Sequence, residues 1–235
     1  MKPKIKLVLV VLMAAVGGIV LSGCSDQSRC DRGEKKACMK LGDCYFEGGC
    51  GREKDLLKAT ALYRKACDAG AMYGCVKLGA MYAEVEGVPK DYPEAVKLYR
   101  KSCDGGEMLG CANLAAMYAD GRGVAKNEQE AVKLFGKSCD GGVMLGCTNL
   151  GILYAEGRGV AKDEKETVRL YRKACDGGDM AGCAVLGIMY LGGKGVEKNV
   201  EEGRIVLRKA CDGGVKQACM MEKLVSSQPA KQQGQ

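Results

Sequence analysis

The stretch Cys-Asp-Gly-Gly-Val-Met-Leu-Gly-Cys, residues 139–147, decides the fold of this chain because it recurs along the sequence. Further copies begin at Cys67, Cys103, Cys175 and Cys211, and a looser copy, CDRGEKKAC, begins at Cys30. The five close copies are spaced 36 residues apart, and the first interval is 37 residues. A fixed period of roughly 20 to 50 residues indicates a solenoid of stacked repeats. The motif is therefore interpreted first as a structural repeat and only then as a candidate functional site.

Each repeat can be read as two helices, of which the first contains CANLAAMYA (111–119) or CTNLGILYA (147–155). Its apolar residues recur at helical spacing, which predicts one buried face. The position after the leucine is glycine in four of five repeats: Gly42, Gly79, Ala115, Gly151 and Gly187. A glycine inside a helix costs about 1 kcal/mol relative to alanine. Its repetition therefore predicts that the backbone of another helix packs there.

A glycine-rich turn, GRGVAKN at 121–127, leads to the second helix. Asn127 stands at the predicted N-cap and Glu130 three residues later, which is the capping-box spacing. Asp91, Asp163 and Asn199 occupy the same N-cap position in other repeats. The second helix, such as ETVRLYRKAC (166–175), ends in Asp-Gly-Gly, and glycine past a helix can close it in the left-handed conformation. No useful alternating pattern of strands exists, so the expected class is an all-α, α/α superhelical solenoid.

The N-terminus is predicted to be a targeting segment. Three lysines precede an uncharged run from Leu7 to Leu21, a pattern typical of a secretory signal peptide. The sequence Leu-Ser-Gly-Cys at 21–24 resembles a bacterial lipobox, which implies that residues 1–23 are removed and Cys24 is lipidated. Ser25 favours the outer membrane. The expected product is an exported outer-membrane lipoprotein that faces the periplasm or cell surface, or is released, with an uncleaved anchor as the alternative.

Charge and composition exclude some classes of function. Loss of the three leader lysines lowers the formal net charge from +7 to +4, which does not indicate a nucleic-acid-binding protein. The chain has no histidine, and two cysteines with seven residues between them do not have a zinc-ligand spacing. We therefore expect no metal, no cofactor and no nucleic-acid partner.

Beyond Cys24, fourteen cysteines remain in a chain predicted to reach an oxidising compartment, which indicates a disulfide framework. Many pairings are possible, but only local pairing treats every repeat alike. Each such bond would staple neighbouring repeats at their junction and contribute about 2 to 3 kcal/mol. The predicted pairs are Cys30 with Cys38, Cys44 with Cys50, Cys67 with Cys75, Cys103 with Cys111, Cys139 with Cys147, Cys175 with Cys183, and Cys211 with Cys219.

The pattern LG-x-x-Y-x-x-G-x-GV-x-K-[DN] resembles the Sel-one-like repeat, a relative of the tetratricopeptide repeat. The 36-residue length with paired cysteines is similar to the cysteine-rich exported branch, the Helicobacter cysteine-rich protein family. The first repeat departs from the pattern, with CYFEGGCGREKD at 44–55 in place of the usual turn. The expected organisation is a linker at 24–29, an atypical repeat at 30–66, repeats at 67–102, 103–138, 139–174 and 175–210, a capping helix at 211–222 and a polar tail at 223–235.

Solenoids expose a concave surface that binds peptides or proteins, and in related repeats the first helix of each unit lines it. Lys77, Asn113 and Asn149 occupy one equivalent position there, followed by Val185. An asparagine amide can donate to and accept from a peptide backbone. We therefore predict that Lys77, Asn113 and Asn149 bind a protein or peptide ligand, and the alternative is a solvated helix face without a ligand.

A second series, Arg122, Arg158 and Lys194, recurs within the glycine-rich turns. These cations could contact anionic polymers or lipid headgroups, although exposed turn charges that promote solubility are the favoured interpretation.

The resemblance also implies an enzyme hypothesis, because members of that family are described as penicillin-binding proteins or slow β-lactamases. It would add peptidoglycan fragments or β-lactams as partners. The serine β-lactamase motifs are absent, and no general base is indicated beside Ser102 or Ser138. We therefore assign no catalytic residue and favour a binding module, whose only membrane contact is the lipid anchor.

Overall fold

A computed structural model of the protein describes residues 26–85 and 87–227, and all regular secondary structure in those ranges is helical. The predicted signal peptide, Cys24 and residues 228–235 of the predicted tail lie outside the described residues. Helix α1 covers 26–31. The others are α2 (Lys35–Glu47), α3 (Leu56–Asp68), α4 (Met72–Ala83), α5 (Tyr92–Asp104), α6 (Met108–Asp120), α7 (Glu128–Asp140), α8 (Met144–Glu156), α9 (Glu164–Asp176), α10 (Met180–Gly192), α11 (Val200–Asp212) and α12 (Lys216–Ser226).

The chain divides into two compact units, a first unit up to Gly110 and a second unit from Cys111. In the first unit α2 packs against α3, α3 against α4, and α4 against α5. In the second unit each helix from α7 to α12 likewise packs against the next one in sequence. These tandem helix pairs are those of an α/α repeat solenoid, as the 36-residue period predicts.

The second helices begin at the predicted caps. The side chain of Asn127 accepts a hydrogen bond from the backbone N–H of Glu130, and Asp163 accepts one from Glu166 in the same way. The N–H of Asn127 itself donates to the carbonyl oxygen of Tyr118 at 2.9 Å rather than to a glutamate side chain. Half of the expected capping box is thus replaced by a backbone bond that ties the turn to the first helix.

The repeated helical glycine faces a tyrosine ring at Gly42, Gly79 and Gly151, whereas a Cβ at Gly187 would lie 3.0 Å from the backbone carbonyl oxygen of Gly203. A Cβ at Gly42 would lie 2.5 Å from Cε1 of Tyr63, and one at Gly79 would lie 2.6 Å from the equivalent atom of Tyr99. The two helices of the repeat do approach closely here, but the space is filled by an aromatic ring of the second helix. The prediction of a backbone neighbour was therefore wrong at Gly42 and Gly79, where an aromatic ring fills the space, and is confirmed at Gly187.

Disulfides such as Cys139–Cys147 join the end of a second helix to the start of the next first helix. Cys139 and Cys147 have Cα atoms 4.6 Å apart and are almost fully buried. Cys44 and Cys50 close the atypical turn of the first repeat, and Cys50 is exposed with a φ of 57°. The other bonds in the described residues join Cys30 to Cys38, Cys67 to Cys75, Cys175 to Cys183 and Cys211 to Cys219, and Cys103 and Cys111 are disulfide-bonded as well.

Two element boundaries differ from the sequence interpretation. The last helix continues to Ser226 instead of ending at 222, because Val225 is 8% exposed and packs inward. At the other end, residues 26–31 are helical although the sequence predicts a linker over 24–29. Asp26 is 8% exposed there and accepts a hydrogen bond from Lys40 at 2.6 Å, which ties α1 to α2.

Candidate ligand-binding face

The predicted ligand-binding residues all lie on the first helix of a repeat, two positions after its cysteine. Within each unit separately, we call the exposed surface around that position on its first helices the first-helix face, which is on α4 in the first unit and on residues 111–120, α8 and α10 in the second. The structure places Lys77 on α4 in the first unit, and Asn113 and Asn149 on α6 and α8 in the second unit.

Lys77 already has an internal partner. Its Nζ lies 3.1 Å from Oδ1 of Asp43, and the same oxygen accepts a 2.7 Å hydrogen bond from the hydroxyl of Tyr63. The ammonium also lies 5.7 Å from the centre of the Tyr63 ring and 5.6 Å from that of Tyr73. The Lys77 ammonium is therefore part of a local cluster, and a ligand could bind it only in competition with Asp43.

Asn113 and Asn149 differ from Lys77 in this respect. Both are partly buried, and within the described ranges neither side chain makes a hydrogen bond. They are one repeat apart, and Ala112 and Cys147, which lie close to them in sequence, belong to one hydrophobic core. An amide that can donate and accept at once is thus available at two successive repeats.

Exposed apolar side chains lie beside Asn149 and at equivalent positions of later repeats, and the sequence interpretation missed them. Leu145 is 48% exposed and Ile152 is 36% exposed, and helical spacing puts both beside Asn149. On α10 the equivalent of Ile152 is Ile188, which is 46% exposed, and on α12 it is Leu224, which is 61% exposed. The sequence did contain a signal for these exposed residues, because an isoleucine follows the repeated glycine in two successive repeats.

The turn cations are mostly paired. Arg158 Nε lies 2.8 Å from Oε1 of Glu128 in the preceding repeat, and Arg122 lies 3.3 Å from the carboxylate of Asp120. The pKa of Glu128 is lowered, chiefly by its hydrogen bond from Arg158 and then by Lys126. Lys194 differs, because no carboxylate in the described ranges lies within 4.0 Å of its ammonium. Arg158 thus contributes to the contact between repeats.

The two serines of the enzyme hypothesis are structural. Ser102 is fully buried, and its hydroxyl donates to the carbonyl oxygen of Met72 at 3.0 Å. Ser138 is also fully buried, and it lies so close to Gly146 that a Cβ there would be 2.7 Å from its Oγ. A hydroxyl in either place is closed to a substrate unless the helices separate.

Three broader properties bear on function. Among the described residues no cluster of cysteine and acidic side chains could hold a metal ion, and none of the helices there is long and apolar enough to cross a membrane. The many disulfides indicate an oxidising, extracytoplasmic environment.

The sequence matches the Sel1 repeat pattern in five segments, residues 35–70, 73–107, 109–143, 145–179 and 181–215. No curated protein matches it. Among solved structures, the chain is similar to a protective antigen of uropathogenic Escherichia coli that displays an SLR fold, with a TM-score of 0.77, 28% identity, 85% of this chain and 43% of that chain. This chain thus spans less than half of that antigen.

Two further structures are similar. A Sel1 repeat protein from Oxalobacter formigenes has a TM-score of 0.77 and 28% identity, over 85% of this chain and 83% of that chain. The cysteine rich protein B of Helicobacter pylori has 34% identity over 57% of this chain and 98% of that chain, with a TM-score of 0.47.

Proposed function

We propose that this chain, which belongs to the Sel1 repeat family, binds a protein ligand on the first-helix face of the second unit. We also propose that it is an exported, lipid-anchored scaffold of a bacterial envelope. Proteins of this family are typically protein-binding scaffolds. The observation that carries the proposal is the pair of asparagine amides, Asn113 and Asn149, which lack partners in the described part of the chain.

The chemistry of this face suits an extended peptide. Leu145 and Ile152 offer apolar contact on either side of Asn149, where an amide can hold a backbone carbonyl and N–H. Interfaces gain most from a few well-packed apolar anchors, while polar groups set register and specificity. A face with both features can bind a peptide without any catalytic group.

Export and lipidation rest on the leader and its lipobox, which lie outside the described residues. The disulfides support export, because such bonds persist in oxidising compartments. Labelling the cells with a radioactive fatty acid tests the anchor, and Cys24→Ala should abolish the label while the disulfides still form.

The ligand-binding proposal is tested with the oxidised mature protein as bait in envelope extract. A variant with both Asn113→Ala and Asn149→Ala should lose most of the captured partner. The matched control replaces two exposed residues of second helices, Lys133→Ala and Arg169→Ala, and should retain it. Equal capture by both variants would refute a role for the asparagines.

A chromogenic cephalosporin separates this proposal from β-lactam hydrolysis, which no observed geometry favours. The binding scaffold is expected to leave the reagent intact. Turnover that survives purification to homogeneity would instead require an active site elsewhere, since Ser102 and Ser138 are both fully buried.

A further inference from the structure

The second unit contains a cavity of about 240 Å³ beside the first-helix face. Its apolar wall comes from α9 and α10 and includes Tyr171, Val185, Ile188 and Met189. Ile188 belongs to the exposed apolar positions described above, so the cavity opens where the proposed ligand lies. Its size fits one side chain rather than a small-molecule cofactor.

Tyr171 gives this cavity a hydrogen-bond donor. The side chain is only 3% exposed, yet its hydroxyl makes no hydrogen bond within residues 26–85 and 87–227. The hydroxyl oxygen keeps contact with solvent at the cavity, so a ligand group that enters the cavity can accept a hydrogen bond from it. Burial, and then the negative charge of nearby Glu156, raise the pKa of this hydroxyl to about 12, which keeps the proton in place as a donor.

The first unit shows what such a partner looks like. Tyr63 occupies the same position three repeats earlier and donates to Asp43 at 2.7 Å, and Lys77 binds the same carboxylate oxygen at 3.1 Å. In the second unit the place of Asp43 is taken by Ile152 and that of Lys77 by Val185. The tyrosine has been kept while the carboxylate that it binds has been replaced by apolar side chains.

The charges near the cavity leave one cation without a carboxylate partner, because Glu156, the carboxylate that acts on Tyr171, is itself paired with Arg158 at 3.1 Å. Lys162 and Lys194 both line the cavity, together with one acidic residue, Glu164, whose carboxylate lies 3.1 Å from Lys162. Lys194 has no carboxylate within 4.0 Å among the described residues, unlike the equivalent Arg158. One cation is therefore available to neutralise a ligand carboxylate, which strengthens a hydrogen bond to it.

We propose that this cavity binds an acidic side chain of the peptide ligand, whose carboxylate accepts from Tyr171 as Asp43 accepts from Tyr63, while a neighbouring apolar ligand side chain covers Ile188. The inference rests on the proposed function, because it takes the ligand to be a peptide on the first-helix face. It names the class of peptide as acidic with an adjacent apolar residue.

The test uses two blocked peptides, acetyl-Gly-Leu-Glu-Gly-amide and acetyl-Gly-Leu-Gln-Gly-amide, titrated into oxidised mature protein with ¹³C-labelled methionine and isoleucine methyl groups. The glutamate peptide should shift the methyl signals of Met189 and Ile188 and bind roughly tenfold more tightly than the glutamine peptide, since a hydrogen bond to a charged group is lost in the latter. Equal affinities, or no methyl shift up to the solubility limit, would overturn the proposal.

Variants separate the hydroxyl from the fold. Tyr171→Phe should remove the preference for glutamate, and Tyr73→Phe, the same change at a hydroxyl outside the cavity, should retain it. Lys194→Gln should lower the affinity for the glutamate peptide several-fold. Lys165→Gln, which removes a charge outside the cavity, should leave that affinity unchanged. A preference that survives Tyr171→Phe in a protein with unchanged methyl spectra would overturn the assignment.

The same titration separates this inference from the proposed function. When the protein is also labelled with ¹⁵N, the side-chain amide signals of Asn113 and Asn149 report contact with the first-helix face. If they shift while those of Met189 and Ile188 do not, the cavity proposal fails and the binding face stands. If only the cavity signals shift, the cavity binds acidic side chains and the role given to the asparagines is wrong.

Discussion

Gly159 should be the least replaceable residue of its turn. Its φ is 68°, and a Cβ there would lie 2.3 Å from both the carbonyl carbon and the carbonyl oxygen of Glu128 in the preceding repeat. An L-residue in the left-handed region costs about 1 to 2 kcal/mol. Displacing packed neighbours costs about 1 to 3 kcal/mol more. Because the obstacle is backbone rather than a mobile side chain, Gly159→Ala should lower the free energy of unfolding by about 2 to 5 kcal/mol.

Two other glycines of the second unit separate these contributions. Gly142 has a φ of 87°, but a Cβ added there would have no neighbour within 4 Å, so Gly142→Ala should cost only the conformational term, about 1 to 2 kcal/mol. Gly136 lies inside α7, where an added Cβ would also have no neighbour within 4 Å and φ is not positive. Gly136→Ala should therefore raise the free energy of unfolding by about 1 kcal/mol. The three variants make the same chemical change in three environments.

The assay is urea unfolding of the oxidised protein, followed by circular dichroism, with free energies from linear extrapolation. The expected order of stability is Gly136→Ala, then the unmodified protein, then Gly142→Ala, then Gly159→Ala. If Gly159→Ala costs no more than Gly142→Ala, the backbone approach between repeats does not explain the glycine, and the reasoning fails.

Three further outcomes are expected. Replacing Cys139 and Cys147 together by serine should lower the free energy of unfolding by about 2 to 3 kcal/mol, and an unchanged urea midpoint would contradict the stapling role. Asn127→Ala should cost about 1 kcal/mol, because the N–H of Glu130 loses its acceptor, and Asn127→Asp, which retains the acceptor, is the control. The pKa of Tyr171 is about 12 in the folded protein and about 10 when unfolded, so its contribution is complete below pH 10 and is lost as the pH rises towards 12. Urea midpoints measured between pH 9 and about 11 should therefore fall less steeply for Tyr171→Phe than for the unmodified protein, and parallel curves would argue against the burial of that hydroxyl.

The repeat architecture could be predicted because its signals are local. The 36-residue period, the N-cap residues and the closing glycines each act within a few positions of the chain, and the helices begin where Asn127 and Asp163 indicate. Disulfide pairing was accessible for the same reason, since Cys139 and Cys147 are brought together by a single turn.

Features that depend on contacts between repeats were not accessible. Lys77 and Asp43 are 34 residues apart in sequence, and only the packed helices show that the lysine is occupied. The cavity beside Tyr171 likewise depends on side chains from two successive repeats. A comparison of equivalent positions could have indicated it, because Asp43 and Ile152 occupy the same place beside a retained tyrosine.

Site-specific photo-crosslinking tests the central claim most directly. A photoreactive p-benzoylphenylalanine at position 149, on the first-helix face, is compared in intact cells with the same residue at position 169, on the exposed side of α9. We predict a discrete adduct with a protein partner from position 149 and none from position 169. An adduct only from position 169, or from neither position, would contradict the claim that the ligand lies on the first-helix face.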